Sequence, residues 1–308
     1  MRVTQSMLSN NMLRNLSTSY NKMGKLQDQL ATQKKVNRPS DDPVVAMKGM
    51  AYRMQVDKVE QYQRNLGEVH NWLDTTDDAL DHVGEAMKRL QELVTDAAND
   101  TKTYDDRQKV LKEIEQLREQ VRDLANTKSG ENYLFSGTKT GEPLFNAEKI
   151  AGLDIPQNAS EPYPTFTDYS SYEQSVTIEV FDGVELQVNT NGFELFSKID
   201  DMFRQLTETI NDEGKSGSDI GSFLGNVDTV QNLVLKERAN IGARQNRAEM
   251  MDNRLYSQEV ISKKQMSENE DIDIEKVITE MITQESVHRA ALSVGARIIQ
   301  PSLVEFLR

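Results

Sequence analysis

Apolar residues recur along this chain in steps of three and four for most of its length. Met12, Leu16, Met23, Leu26 and Leu30 form the first series, with Ser19 in its one polar slot. That spacing puts them on one narrow face of a helix. Pro39 and Pro43 break the pattern within NRPSDDPVVAM, Asn37 to Met47. Pro43 suits the first turn of a new helix, where its missing N–H costs nothing, and Asp42 before it suits the N-cap. Pro39 biases Arg38 toward an extended backbone and so helps to end the helix before it. Asp41 and Asp42 lie where a helix dipole favours negative charge.

The longest series follows: Val59, Tyr62, Leu66, Val69, Leu73, Thr76, Leu80, Val83, Met87, Leu90, Val94 and Ala97. A helix from Pro43 to about Ala98 would be about 80 Å long. NDTKTYDD predicts a turn, with Thr103 and Asp106 at capping-box spacing. A second seam through Val110, Ile114, Leu117, Val121 and Leu124 predicts an antiparallel partner helix.

From SGENYLFSG onward the helical period is lost, and four of the seven prolines fall between Pro143 and Pro164. Val176, Ile178 and Val180 then alternate with polar residues, Asp182-Gly183 follows, and Val184, Leu186 and Val188 alternate again. Period two around a turn dipeptide predicts a β-hairpin. Helical spacing returns at Glu194, with Phe196, Ile199, Phe203, Leu206 and Ile210 on one stripe. A further helix is expected from about Ile220 past Val260, with Val227, Val230, Val234, Ile241, Ala248 and Leu255 near one face. The last series runs through Ile274, Val277, Ile278, Met281, Ile282, Val287, Ala291, Val294 and Ile298.

The pattern predicts a mainly α fold with a small β-rich insert, an elongated antiparallel bundle of long rod helices. Its parts are nested. Terminal helices at 1–42 and 271–308 enclose a bundle at 43–138 and 194–270, which encloses an insert at 139–193. A seamed helix gains most of its stability by burying its stripe, so each needs a partner.

Composition is consistent with this plan. Aromatics make up 6% and charged residues 28% of 308 residues, which suits helices that bury one stripe each. The net charge of −14 argues against bulk attraction to nucleic acid or an anionic membrane. Charge is uneven: residues 1–38 hold seven Lys or Arg against one acid, and residues 268–308 hold eight acids against four bases. A basic arm of this kind can bind nucleic acid, but it reads first as a solvated helix face; a third reading makes it the counterpart of the acidic end. Residues 140–194 carry ten acids and one lysine, which predicts a solvated, negative exterior for the insert. With no cysteine, disulfide and thiol chemistry are excluded. MRVTQSMLSNNMLRNLS lacks the apolar core of a secretory signal, and no apolar run is long enough to span a bilayer.

Candidate chemistry is sparse. The nucleotide, zinc-protease and calcium-loop motifs are absent. His70, His82 and His288 lack the spacing that sets two ligands on one helical face. The acidic run ENEDIDIE, Glu268 to Glu275, lacks the glycine of a calcium loop and reads as a solvated linker or helix start. The seam methionines read as adaptable core filling. Catalytic, cofactor and metal sites are therefore expected to be none.

The residues also carry a family resemblance. NRPSDDPVVAM is similar to the segment near the start of bacterial flagellins. VTDAANDTKTYDDRQKVLKEIEQLREQVRDLANTK resembles a flagellin stretch more specifically, and with MRVTQSM the likeness covers most of residues 1–130. ENYLFSGTKTGEPLF, VFDGVELQVNTNGFELF and RIIQPSLVEFLR depart from flagellin itself and resemble the hook–filament junction branch of the same family. The resemblance implies D0-like terminal helices in the wall of an axial tube, a D1-like layer outside them and an outward β-rich insert. It implies unfolded export through the flagellar type III apparatus without a cleaved signal. The implied partners are hook-associated protein 1, flagellin, other copies of the chain, and a cytosolic export chaperone at the C-terminal helix. No nucleic acid or membrane partner is implied. The expected assembly seam is Met12, Leu16, Met23, Leu26, Leu30, Ile274, Val277, Met281, Ala291, Val294 and Ile298. Pro39, Asp41, Asp42 and Pro43 would form the corner between layers. The rival readings are an enzyme carried on the insert, a cytosolic coiled-coil scaffold and a minor flagellin.

Overall fold

A computed structural model of the chain describes residues 5–146, 149–156, 161–164 and 174–299, with the side chains of 5, 6 and 297–299 left out. The described chain is mainly helical. Helix α1 spans Gln5–Thr32, α2 Pro43–Ala97 and α3 Tyr104–Ala125. Short antiparallel pairings follow: β1 (Lys128–Ser129) with β2 (Asn132–Tyr133), then β3 (Phe145–Asn146), β4 (Lys149–Ile150) and β5 (Leu153–Asp154) in one meander. Strands β6 (Thr177–Phe181) and β7 (Val184–Gln187) form the hairpin, and helices α4 (Gly192–Asn211), α5 (Gly217–Gly221), α6 (Phe223–Glu270) and α7 (Ile274–Ile299) complete the order.

Two compact units make up the chain, residues 1–58 with 257–308 and residues 59–256. Both divisions fall inside helices, one in α2 and one in α6.

The larger unit holds one apolar core. Leu66, Val69, Leu73, Leu80, Val83, Met87, Leu90 and Val94 of α2 are fully buried in it. Facing them are Ile114 of α3, Phe196, Ile199, Phe203 and Leu206 of α4, and Val227, Ile241, Ala248 and Leu255 of α6. Thr76 fills its seam position because its buried hydroxyl is paired, donating to the Trp72 carbonyl at 2.6 Å. Leu144, Phe145, Ile150, Ile155, Val180, Leu186 and Val188 of the insert join this same core.

Local chemistry explains the element ends. Thr103 N-caps α3 by accepting from the Asp106 amide. Asp182-Gly183 turns the hairpin with Gly183 at φ 70°, a conformation that favours glycine. Ile178 pairs with Leu186, and an irregularity between Glu179 and Phe181 bends the strand. The hairpin is tied to α2, where Asn65 donates to the Glu179 carbonyl at 2.7 Å and the Tyr62 hydroxyl to its carboxylate at 3.1 Å. The smaller unit is organised around the pairing of α1 with α7.

Candidate assembly interface

Helices α1 and α7 run antiparallel. Gln284 donates to the Ser19 hydroxyl at 2.7 Å, the Tyr20 and His288 rings lie 6.3 Å apart, and Met12 lies against Gly295. Ser19 is buried, which accounts for a polar residue in an apolar seam: its hydroxyl has a partner. Met12, Leu16, Met23, Leu26 and Leu30 are half-buried along α1, opposite buried Val277 and half-buried Met281 and Ala291. Gly295 brings the backbones close, because a Cβ there would fall on the Met12 thioether.

Ile274 and Val294, two of the expected seam residues, remain 46% and 55% exposed. Ile298 lies beyond the described side chains. Their series is apolar on several faces of one helix, so period alone does not select the face that meets α1. Ile278, Ile282, Val287 and Leu292 are exposed as well, as are Leu13 and Tyr20 of α1. An open groove of 480 Å³ runs along one side of the pair, lined by Lys22, Lys25, Leu26 and Gln29 opposite Thr279, Glu280, Thr283 and Gln284. At about 100° per residue, Leu13, Tyr20, Ile274, Ile278 and Ile282 fall on the side away from that polar groove. Exposed Val287 and Val294 fall on the groove side instead, so uncovered apolar side chains stand on both flanks of the pair.

The corner is built by two linkers that bind each other. Helix α1 ends at Thr32, well before Pro39, because Gln33 takes a left-handed φ of 58° and the chain then pairs with the α6–α7 linker. The Lys35 amide donates to the Glu270 carbonyl at 2.6 Å and the Ile272 amide to the Gln33 carbonyl at 3.2 Å. Lys34 and Asp271 form an ion pair at 2.6 Å. The hydrogen bond from Lys34, with another from Ser267, holds the Asp271 carboxyl below the usual carboxylate range.

Asp42 N-caps α2, its Oδ1 accepting from the Val44 amide at 3.0 Å and the Val45 amide at 3.1 Å. Pro43 is the first helical residue. Asp41 instead accepts from the Arg38 amide at 3.2 Å and pairs with Lys25 at 3.4 Å.

Sequence reasoning missed Glu270. It sits in the acidic run read as solvated, yet it is only 6% exposed and pairs with Arg53 at 2.7 Å and Lys34 at 3.4 Å. Gly49 makes room for it, since a Cβ there would strike the carboxylate. The only trace in the sequence was a glycine inside a long helix, where alanine would otherwise be favoured. Asp273 of the same run accepts from the Lys276 amide at 3.1 Å and so caps α7.

The histidines are dispersed: His70 meets Asp252 and His82 meets Glu85, while His288 lies in the α1–α7 pair. Among the described residues no group of three or more His, Cys, Asp or Glu is placed to hold a metal ion. Among the same residues no helix is long and apolar enough to cross a membrane.

Comparison with known proteins agrees with this geometry. Residues 3–140 match the bacterial flagellin N-terminal helical region and residues 224–307 the C-terminal helical region. The chain is 26% identical over 297 residues to flagellar hook-associated protein 3 of Escherichia coli, covering 94% of this chain and 93% of that one. It is 24% identical over 309 residues to a flagellin of Bacillus subtilis, covering 97% of each. The crystal structure of the flagellar junction protein FlgL from Legionella pneumophila superposes with a TM-score of 0.55 at 15% identity, covering 73% of this chain and all of that one, which shows a shared fold.

Proposed function

The chain belongs to the bacterial flagellin family, and from that premise we propose that it is the adaptor joining the flagellar hook to the filament, as a hook-associated protein 3. A structural role in the flagellum follows from the family; the junction is the finer reading. One observation carries it. Among the described residues, apolar side chains on the outer flanks of α1 and α7 are left exposed, and a folded protein seldom exposes so many without an interaction to serve. A tube wall of paired helices supplies that cover from neighbouring subunits.

In this reading residues 1–42 and 271–308 form the inner layer and 43–138 with 194–270 the next, with 139–193 facing outward. Hook-associated protein 1 lies on the hook side and flagellin on the other, with further copies of the chain alongside. The chain is exported unfolded through the type III apparatus, and a cytosolic chaperone covers the C-terminal amphipathic helix beforehand. The mechanism is assembly rather than catalysis. Seams close inside the subunit, flanks close between subunits, and the tied linkers set the corner.

The near full-length likeness to a flagellin favours one second reading, a minor flagellin within the filament itself. A strain deleted for the gene separates the two. Loss of the adaptor leaves hooks intact in electron micrographs and spills flagellin into the medium. Normal or merely shortened filaments would overturn the junction reading in favour of the minor flagellin.

A further inference from the structure

Three chain segments meet on Glu270, the last residue of α6. Its Oε2 accepts from Arg53 Nη2 of α2 at 2.7 Å and stands 3.4 Å from Lys34 Nζ of the α1–α2 linker. Its main-chain carbonyl accepts from the Lys35 amide. The residues beside it repeat the same links. Asn269 donates to the Val45 carbonyl at 3.0 Å, in the first turn of α2. Lys35 Nζ donates to the Glu268 carbonyl at 2.8 Å, and Gln29 of α1 to the Lys35 carbonyl at 2.7 Å. All of these residues belong to the smaller unit.

The other carboxylate oxygen, Oε1, is buried and has no hydrogen-bond partner among the described residues. It lies against Gly49, where a Cβ would come within 2.4 Å of it. Glycine inside a helix is unfavourable relative to alanine, and a buried acceptor without a donor is more so. Both penalties fall at one point of the fold. Apolar side chains in place of a buried ion pair are often neutral or stabilising. Stability alone therefore does not account for a carboxylate here.

What the carboxylate adds is direction. It ties the end of α6 to α2 on one side and to the segment that carries α1 on the other. Arg53 and Lys34 keep 58% and 35% of their side chains exposed, so both stay hydrated if Glu270 is replaced. No buried charge is then stranded, and the loss falls on geometry. We propose that Glu270 is the positioning residue of the assembly interface, fixing the direction in which the α1–α7 pair leaves the first turns of α2 and the end of α6. This role rests on the assembly reading. Flanks held in one direction meet a neighbour ready to pack, whereas flanks on a loose corner must be ordered at every contact.

A cycle of variants of the full chain tests this. Glu270→Gln keeps the size of the side chain and removes its charge. Gly49→Ala keeps every charge and displaces the carboxylate. In each, peptides covering 33–42 and 270–273 should exchange hydrogen at least about fivefold faster, and peptides within 59–256 should stay within about twofold of the wild type. In a Glu270→Ala background, Gly49→Ala should not speed exchange at the corner, because no carboxylate is left to displace. An effect of helix propensity alone would slow exchange in both backgrounds. At an ammonium sulfate concentration that sediments the wild type, the pelleted fraction of both single variants should fall at least about fivefold. Unchanged exchange at the corner would overturn the positioning role, as would faster exchange with wild-type pelleting. A wild-type chain that never pellets would overturn the assembly reading itself, and this role with it.

Discussion

A single methyl group decides the fit at Gly217. A Cβ there would strike the Ala98 carbonyl and come within 2.5 Å of the Asp100 carboxylate, where α5 starts against the end of α2. Gly192 is similarly placed, with the Phe135 carbonyl oxygen at 2.6 Å and its Cα at 2.9 Å from a Cβ. The Ala98 and Phe135 carbonyls are backbone and yield only by moving an element. Gly217→Ala should lower unfolding stability by about 1–3 kcal/mol in urea titration. Gly84→Ala, mid-helix with nothing within 4 Å, should raise it by about 0.5–1 kcal/mol. The same sign at both sites would refute the packing account. Asp106 makes an independent residue-scale test. Its hydrogen bonds from Lys109 and then Thr103 hold its carboxyl down to about 2. The contribution of this pairing to the α3 N-terminus is present above the ordinary carboxylate value and lost as pH falls through about 2. A carboxyl NMR titration centred at the ordinary value would show the cap unformed in solution.

Elements differ in how completely their partners lie within the chain. The α2, α4 and α6 seams end in a fully buried core, whereas α1 and α7 bury one stripe against each other and leave other apolar side chains in water. Limited proteolysis of a dilute monomer should therefore cut residues up to about Arg38 and beyond about Asp271 first, while 43–270 persists. Equal resistance at the ends would count against a helix pair that waits for neighbours. The same contrast governs how much was legible in the sequence. Val227, Val230, Val234, Ile241, Ala248 and Leu255 were identified from spacing and are all buried, because they recur on the face of α6 that meets the core, while Leu235, Met250 and Val260 on other faces stay exposed. In α3 the buried face instead takes Leu111 and Ala125, leaving Val110, Leu117 and Leu124 half-buried. Arg118 and Arg122 turn inward to Asp200, and an apolar count passes over charged residues on an inner face. Glu270 was illegible for the same reason: its cations come from residues 34 and 53, over two hundred positions away. On α7, apolar residues on several faces hid which one would meet α1.

For the molecule as a whole, charge and apolar surface act in opposite directions. A net charge of −14 keeps free chains apart, while the uncovered flanks of α1 and α7 favour association once repulsion is screened. Sulfate salts both screen charge and strengthen apolar burial. Added ammonium sulfate should therefore drive the purified chain into sedimentable assemblies. Ile278→Asp/Ile282→Asp should abolish that pelleting, because both side chains are exposed in the monomer and each new carboxylate would have to be desolvated in a contact. Both residues also lie outside the unit that spans residues 59–256, so its thermal unfolding midpoint should stay put. That control separates a lost interface from a lost fold. In cells the same double variant, expressed in the deletion strain, should still be exported yet fail to retain flagellin on the hook. If it pelleted and retained flagellin like the wild type, the exposed isoleucine flank of α7 would not be the surface through which subunits meet.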